Sequence, residues 1–315
     1  MGENNTLTTN LSGQKLWQQV EAVTESALAC GALKSIPTHS EIREVSYTTS
    51  AYGKSTVNLQ IRVVENLARK SKLERAKQEP DTKAPNNKSF NPFLPYEPAL
   101  YVAELSDHYR CLLNKFNVMN HHILMVTSMF VSQQTPLDVE DFLAAQTCLQ
   151  AQDGLVFYNG GPAAGASVEH KHLQMIPLPL SDKTTFPFDE LLSSATASDQ
   201  PCSAALPFPH RFIATTFNDT TIANSSREAA DINCKNYHRL LTDLKLSVDH
   251  DGMMAPHNML MTRKYLWVVP RTKESYQGLA INALGFAGTL LVKDKAQLRK
   301  LVSIGCMELL KAVTQ

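Results

Sequence analysis

The segment from Phe157 to Pro177, FYNGGPAAGASVEHKHLQMIP, concentrates the groups able to do chemistry. Its second half reads as a strand over 170–178. Side chains alternate across a strand, so His170, His172 and Gln174 are expected on one face, with Lys171, Leu173 and Met175 on the other. The first half is a loop of small residues. Gly160, Gly161 and Gly165 flank Pro162, Ala163 and Ala164, and such a loop permits positive φ and close backbone approach to an anion. Successive N–H groups there can form an anion-binding concavity, and Asn159 and Ser167 add side-chain donors. A phosphate cradle would thus lie beside two imidazoles. Neutral imidazole, with an ordinary pKa of about 6.5, is a competent nucleophile toward phosphorus. The phosphoramidate it forms can be discharged to a second acceptor, which splits one difficult step into two. Gln174 can donate to phosphoryl oxygens but cannot shuttle a proton.

Each part taken alone has a plainer reading. An H-x-H pair on a strand is more often a metal-ligand pair or a packed pair than a nucleophile. A metal site wants a third ligand, and the loop offers only Glu169, expected on the opposite face. A glycine-rich loop is usually a turn. The two together are much rarer than either.

The surrounding pattern supplies elements to position these groups. A helix is expected over 12–32, with Ser12 as N-cap, apolar positions Leu16, Val20, Val23 and Ala27, and Gly31 at its end. Strands are expected near 43–50 and 57–64. Residues 71–98 carry five prolines and read as a surface excursion. Strands at 112–118 and 122–127 follow. Thr135-Pro136 opens a helix to about Ala151, with Thr135 as cap. A strand at 155–159 precedes the loop. Beyond a Ser/Thr/Ala-rich stretch at 181–207 come a strand near 211–216, a helix near 227–246, a strand pair near 257–269 and a helix near 294–313. Strands in adjacent pairs, set apart from helices, favour an α+β layout with antiparallel pairing over a doubly wound sheet.

Composition narrows the class. With 315 residues, 43% of them hydrophobic and 19% charged, the chain can build one large domain or two intimately packed ones. A formal net charge of +0 disfavours binding to a long nucleic acid. The six cysteines (Cys30, Cys111, Cys148, Cys202, Cys234 and Cys306) contain no C-x-x-C pair, which suits a reducing cytoplasm rather than a zinc or disulfide framework. The polar stretch Met1 to Gln14 carries no signal-like apolar core, and no apolar run is long enough to span a membrane.

The motif YNGGPAAGASVEHKHLQ resembles the Y-N-x-G-P-x-x-G-x-S-x-x-H-K-H-L-Q stretch of the diadenosine tetraphosphate phosphorylases, also called ATP adenylyltransferases, within the histidine-triad (HIT/GalT-like) superfamily. Similarity continues in LLNKF (112–116), NHHILMVT (120–127), QTPL (134–137), MLMT (259–262), VVPR (268–271) and INALGFAGTLLVK (281–293). The resemblance implies an α+β fold with a HIT/GalT-like antiparallel sheet flanked by helices. It implies an N-terminal catalytic part, 1–180, and a C-terminal part, 181–315, completing the same site. It implies phosphorolysis of diadenosine tetraphosphate to ATP and ADP through an AMP-histidine. His172 takes the nucleophile's place, His170 a buttressing one and Gln174 a phosphate contact. Substrate contacts fall on Lys70, Asn114, Lys115, Asn159, Gly165, Ala166, Ser167, Val168, Asn282, Ala283, Leu284, Thr289 and Lys293. A divalent cation, expected to be Mg²⁺, would accompany the polyphosphate. The partners implied are small nucleotides and phosphate.

Some positions stay open. Lys115, read on a strand, is either a snorkelling surface lysine or a phosphate contact. His121 is either a core histidine or one lying near the site, and Arg271 either caps a strand or reaches phosphate. Met119 stands where the family usually has proline, and Val168 and Thr289 differ from the usual contact residues. These departures bear on base and chain-length preference. Rival readings are a hydrolase, against which Gln174 stands where triad hydrolases carry histidine; a hexose-1-phosphate uridylyltransferase, against which Lys171 stands where proline is usual; and a nucleotide sensor without turnover.

Overall fold

The structure, a computed structural model, describes residues 13–49, 53–64, 91–180, 186–189, 192, 201–202, 206–215 and 226–315. Ser12, Lys70, residues 71–90 of the 71–98 stretch and most of 181–207 lie outside them. An eight-stranded sheet dominates, in the order β3-β4-β5-β7-β6-β9-β10-β8. Its strands are β3 (Tyr101–Glu104), β4 (Tyr109–Leu113), β5 (Ile123–Thr127), β6 (Gly154–Gly160), β7 (His172–Pro177), β8 (Arg211–Ala214), β9 (His257–Met261) and β10 (Tyr265–Pro270). All its pairings are antiparallel. A smaller sheet joins β1 (His39–Thr49), β2 (Gly53–Val63) and β13 (Thr289–Val292), with β13 parallel to β2.

Strand alternation gives the large sheet two buried faces. Met125, Leu173, Val156, Met259 and Val268 project to one, which is covered by α1 (Gly13–Ala29), α2 (Val139–Ala151) and α3 (Ser226–Asp243). Leu16, Val20 and Ala27 supply the buried stripe of α1, as the helical spacing predicts. Phe157, Leu260, Trp267 and Phe212 project to the other face. There they meet Leu59 and Ile61 of β2, Leu290 of β13, and residues of α4 (Ala283–Phe286), α5 (Lys295–Ile304) and α6 (Cys306–Ala312). The molecule is thus helices, large sheet, then small sheet with helices. It is α+β, as expected.

Several boundaries move for local reasons. Asp138, not Thr135, caps α2: its carboxylate accepts from the amides of Glu140 and Asp141, and the Asp141 side chain accepts from the Asp138 amide. The last helix is two, broken at Gly305, where φ is +89° and only glycine sits without strain. The expected strand over 112–118 ends at Leu113, and residues 115–116 form a turn. Strands β3, β11 (Ser275–Tyr276), β12 (Leu279–Ala280) and β13 and the one-turn α4 are too short for periodicity to reveal.

Lys171 belongs to the helix-covered face, and its burial explains the polar break in that row. Its ammonium donates to Asp141 Oδ2 at 2.7 Å and to the Pro136 carbonyl at 2.9 Å. Asp141 Oδ1 accepts from the Tyr109 hydroxyl, which burial and the Asp141 charge keep protonated. Both charged side chains are essentially sequestered, at 3% and 1% exposure. The pair therefore ties the residue between the two histidines to the first turn of α2. Removing one partner of such a pair costs about 3–5 kcal/mol, because the other charge stays buried. Asp141→Ala should lower the thermal unfolding midpoint strongly, and adding Lys171→Met should restore most of the loss. A midpoint unchanged in the single variant would overturn this account.

Candidate active site

His172 opens β7, opposite Val126 of β5. Its Nδ1 lies 2.8 Å from the His170 carbonyl oxygen. A carbonyl only accepts, so Nδ1 carries the hydrogen and Nε2 holds the lone pair. No side chain or amide among the described residues occupies Nε2. Burial pulls the imidazole down to about 4, so the ring is neutral at neutral pH. Phe93 stands edge-on to it, ring centres 5.3 Å apart. The arrangement is a neutral, oriented nitrogen nucleophile.

His170 lies just outside the strand, in an isolated bridge with Ser132. Its Nε2–H points to the carbonyls of Thr127 (2.9 Å) and Met129 (3.1 Å), with the Thr127 hydroxyl at 2.8 Å. Nδ1 is then an acceptor, and Asn91 Nδ2 donates to it at 3.0 Å. Phe93 and Phe130 flank the ring, each at 5.6 Å. Both ring nitrogens are thus committed to protein. His170 anchors the carbonyl that sets the tautomer of His172, and the expectation that it shares the strand is corrected to a fixed turn before it.

Gln174 projects on the face expected from alternation. Its Oε1 accepts from His122 Nε2 at 3.1 Å. His122 Nδ1 in turn accepts from Asn114 Nδ2, also at 3.1 Å. Burial pulls His122 down to about 4 as well, so this chain stays neutral. With Oε1 occupied by a donor, the Gln174 NH₂ group is left for an acceptor in the site. The histidine that sequence reasoning weighed, His121, takes the other side. At φ +53° its ring leaves the cluster, meets Trp17 at 5.8 Å and lies 3.4 Å from Thr24 of α1. The adjacent pair His121-His122 at the start of β5 carried the signal, since neighbours face opposite ways.

The glycine loop uses most of its own amides. In the 3-10 turn Pro162–Ala164, the amides of Ala164 and Ala166 bond to Gly161 O, and that of Gly165 to Pro162 O. Among the described residues the amides of Ala163, Ser167 and Val168 bond to no protein group, and the last two are consecutive, as an anion-binding concavity needs. Gly165 sits at φ +91°, and a Cβ there would come within 3.0 Å of Ile281 O and Asn282 Cβ. This close approach brings 282–284 to the loop. Asn282 caps α4 by accepting from the Leu284 amide. Asn159 Oδ1 accepts from the Ala283 amide (2.9 Å) and from Asn258 Nδ2 (2.9 Å), so its side chain braces the loop. Arg271 answers its own question: it donates to Asn258 Oδ1 and to the carbonyls of Ala164, Lys273, Glu274, Ile281 and Val313. Burial pulls its guanidinium down to about 10, which leaves it charged. It is a buried clasp between the loop and the C-terminal helices, and neither Asn258 nor this role was legible beforehand.

The remaining expected contacts are scattered. Lys115 lies in the turn after β4, half exposed, with its ammonium 2.7 Å from Glu97. Thr289 is buried on β13, its hydroxyl without a partner among the described residues. Lys293 is exposed past the end of β13, its amide bonded to Gln297 Oε1. No hydrogen bond or ion pair joins either of these two to the histidine cluster.

Comparison with known proteins shows the family to which the chain belongs. The family model described as the Ap4A phosphorylase N-terminal domain matches residues 6–194, and that of the ATP adenylyltransferase C-terminal domain matches residues 204–315. Diadenosine 5',5'''-P1,P4-tetraphosphate phosphorylase 2 of Saccharomyces cerevisiae is 30% identical over 239 residues, 69% of this chain and 73% of its own. Protein APA1 of the same yeast is 30% identical over 203 residues, 59% of this chain and 62% of its own. The crystal structure of yeast Ap4A phosphorylase Apa2 in complex with Ap4A superposes with a TM-score of 0.69 at 25% identity, covering 95% of this chain and 97% of that one. The chain therefore belongs to the Ap4A phosphorylase family, with the ATP adenylyltransferase C-terminal domain as its second part.

Proposed function

We propose that this chain is a nucleotidyltransferase that cleaves diadenosine tetraphosphate with phosphate, giving ATP and ADP. The observation that carries the reading is the lone pair of His172 Nε2, exposed to the site by the bond from Nδ1 to His170 O. That nitrogen attacks the α-phosphorus. The P–N bond forms, the P–O bond to the leaving group breaks, and ATP departs. The ring then bears positive charge, which the His170 carbonyl stabilises through the Nδ1–H. An oxygen of inorganic phosphate next attacks the same phosphorus, the P–N bond breaks, and ADP leaves with neutral His172 restored. No separate base is needed for the first step, because the nucleophile carries no proton to remove.

Charge developing on the transferred phosphoryl oxygens is met by the Gln174 NH₂ group and the amides of Ser167 and Val168. Lys70, Lys115 and Lys293 are the cations proposed to reach the polyphosphate, Lys115 by exchanging Glu97 for phosphate. Asn159, Asn282, Ala283 and Leu284 shape the loop that holds it. Mg²⁺ enters as part of the substrate, riding on polyphosphate oxygens. No helix among the described residues is long and apolar enough to cross a membrane. Six free cysteines support a reducing cytoplasmic setting.

Incubation with diadenosine tetraphosphate, with and without phosphate, tests the reaction. ATP plus ADP is expected only with phosphate, and AMP plus ATP in both cases would support hydrolysis instead. His172→Ala should abolish both turnover and an acid-labile AMP adduct; an adduct persisting in the variant would remove His172 from its role. In single-turnover reactions without phosphate, adduct formation should stay level between about pH 5 and 8, because the depressed imidazole protonates only as pH falls toward about 4. An acid limb near the ordinary value of about 6.5 would contradict a buried neutral ring. His122→Phe frees the Gln174 amide to rotate and should slow adduct formation by roughly 10–100-fold. An unchanged rate would show that the relay does not orient Gln174.

A further inference from the structure

The paired ladder between β6 and β7 runs from Gly154↔Pro177 to Phe157↔Gln174 and stops there. Continued in register, it would pair Tyr158 with Leu173 and then Asn159 with His172. A side chain takes that place instead. Gln133, 2% exposed, accepts the His172 amide on Oε1 at 2.7 Å. Its Nε2 donates one hydrogen to the His172 carbonyl at 3.1 Å and the other to the Asn159 carbonyl at 3.0 Å. One carboxamide therefore supplies both halves of a strand-like pair to the nucleophile and bridges it to the strand from which it has parted.

Gln133 is itself held from both sides. Its amide donates to Glu169 O at 2.7 Å, and its carbonyl accepts from the Tyr158 hydroxyl. Every hydrogen-bonding group of the residue is committed, so the carboxamide cannot rotate without orphaning buried groups. The consequence for β6 is equally specific. Freed from β7, Asn159 and Gly160 pair only with Asn258 and His257 of β9, and the chain leaves the sheet into the glycine loop.

We propose that Gln133 is a positioning residue for the nucleophile: it splits the sheet at His172 and clamps the His172 backbone, so that the ring aimed by the His170 carbonyl starts from a fixed Cα. This deepens the reading of His172 as nucleophile and rests on it. Small displacements of a reacting group can cost about 100-fold in rate. The role thus predicts a loss in the chemical step out of proportion to any loss in binding.

The test compares Gln133→Met, which keeps the shape without the polar groups, and Gln133→Glu, which keeps the acceptor, with the intact protein. Gln146→Leu serves as control, since Gln146 is a fully buried glutamine on α2 whose side-chain amide has no partner among the described residues. Adduct formation from diadenosine tetraphosphate is followed in single turnovers, with KM measured separately. Gln133→Met should slow adduct formation by roughly 10–100-fold with KM within about two-fold, Gln133→Glu should fall between, and Gln146→Leu should match the parent. Parental rates in both Gln133 variants would overturn the proposal. So would a rate loss matched by an equal rise in KM. Amide hydrogen exchange on the unmodified protein covers the case in which no variant folds. The His172 amide should exchange as slowly as those of Leu173 and Met175, and fast exchange would overturn the clamp. A parent that forms no AMP adduct would instead sink the nucleophile reading, while the exchange measurement still reports on Gln133.

Discussion

The chemistry proposed for this molecule depends on one hydrogen bond, from His172 Nδ1 to the His170 carbonyl. Two tautomers of neutral imidazole are close in energy in water, and only one leaves Nε2 nucleophilic. A backbone carbonyl is a strict judge, because it cannot donate and cannot change its protonation. The rest of the site then reads as the means of holding that carbonyl still. His170 is pinned by Thr127, Met129 and Asn91, and Lys171 is drawn into the opposite face by Asp141. The two histidines of H-K-H thus share the Phe93 side while Lys171 takes the opposite face, and each of the three has its own anchor.

Burial has a second effect on the same ring. Desolvation disfavours imidazolium, and at His122 the nearby His172 adds to the effect, so both rings stay neutral. A charged His122 would compete for phosphate and would no longer accept from Asn114. Neutrality therefore preserves the direction of the relay from Asn114 through His122 to Gln174, with every donor facing toward the substrate side.

Local patterns made part of this legible. Alternation placed His172 and Gln174 on one face and Leu173 and Met175 on the other, and small residues marked the loop before them. The main helices and most strands followed from periodicity. What escaped was any group whose meaning lies in a remote partner. Gln133 reads as one polar residue in a loop until β6 and β7 are seen to part around it. Asn258 carried no signal and Arg271 stayed open between a strand cap and a phosphate contact until Ala164 and Ile281 came within reach. Lys171 stood as an unexplained charge in an apolar row because Asp141 is thirty positions away. His122 lost to His121 because nothing local says which of two neighbours turns inward. The nominal division at residue 180 was drawn along the chain, whereas the large sheet runs without interruption from β6 into β9.

That continuity has a consequence for how the chain comes into being. The edge of β6 that faces β9 is a row of backbone donors and acceptors, wholly enclosed in the finished molecule. While the chain emerges from a ribosome, that edge exists for the time needed to make about a hundred further residues, and nothing yet lies alongside it. A bare, regular edge of this kind invites pairing with a neighbour of the same sort. The nascent first half is therefore open to mispairing along that edge until β9 has been made.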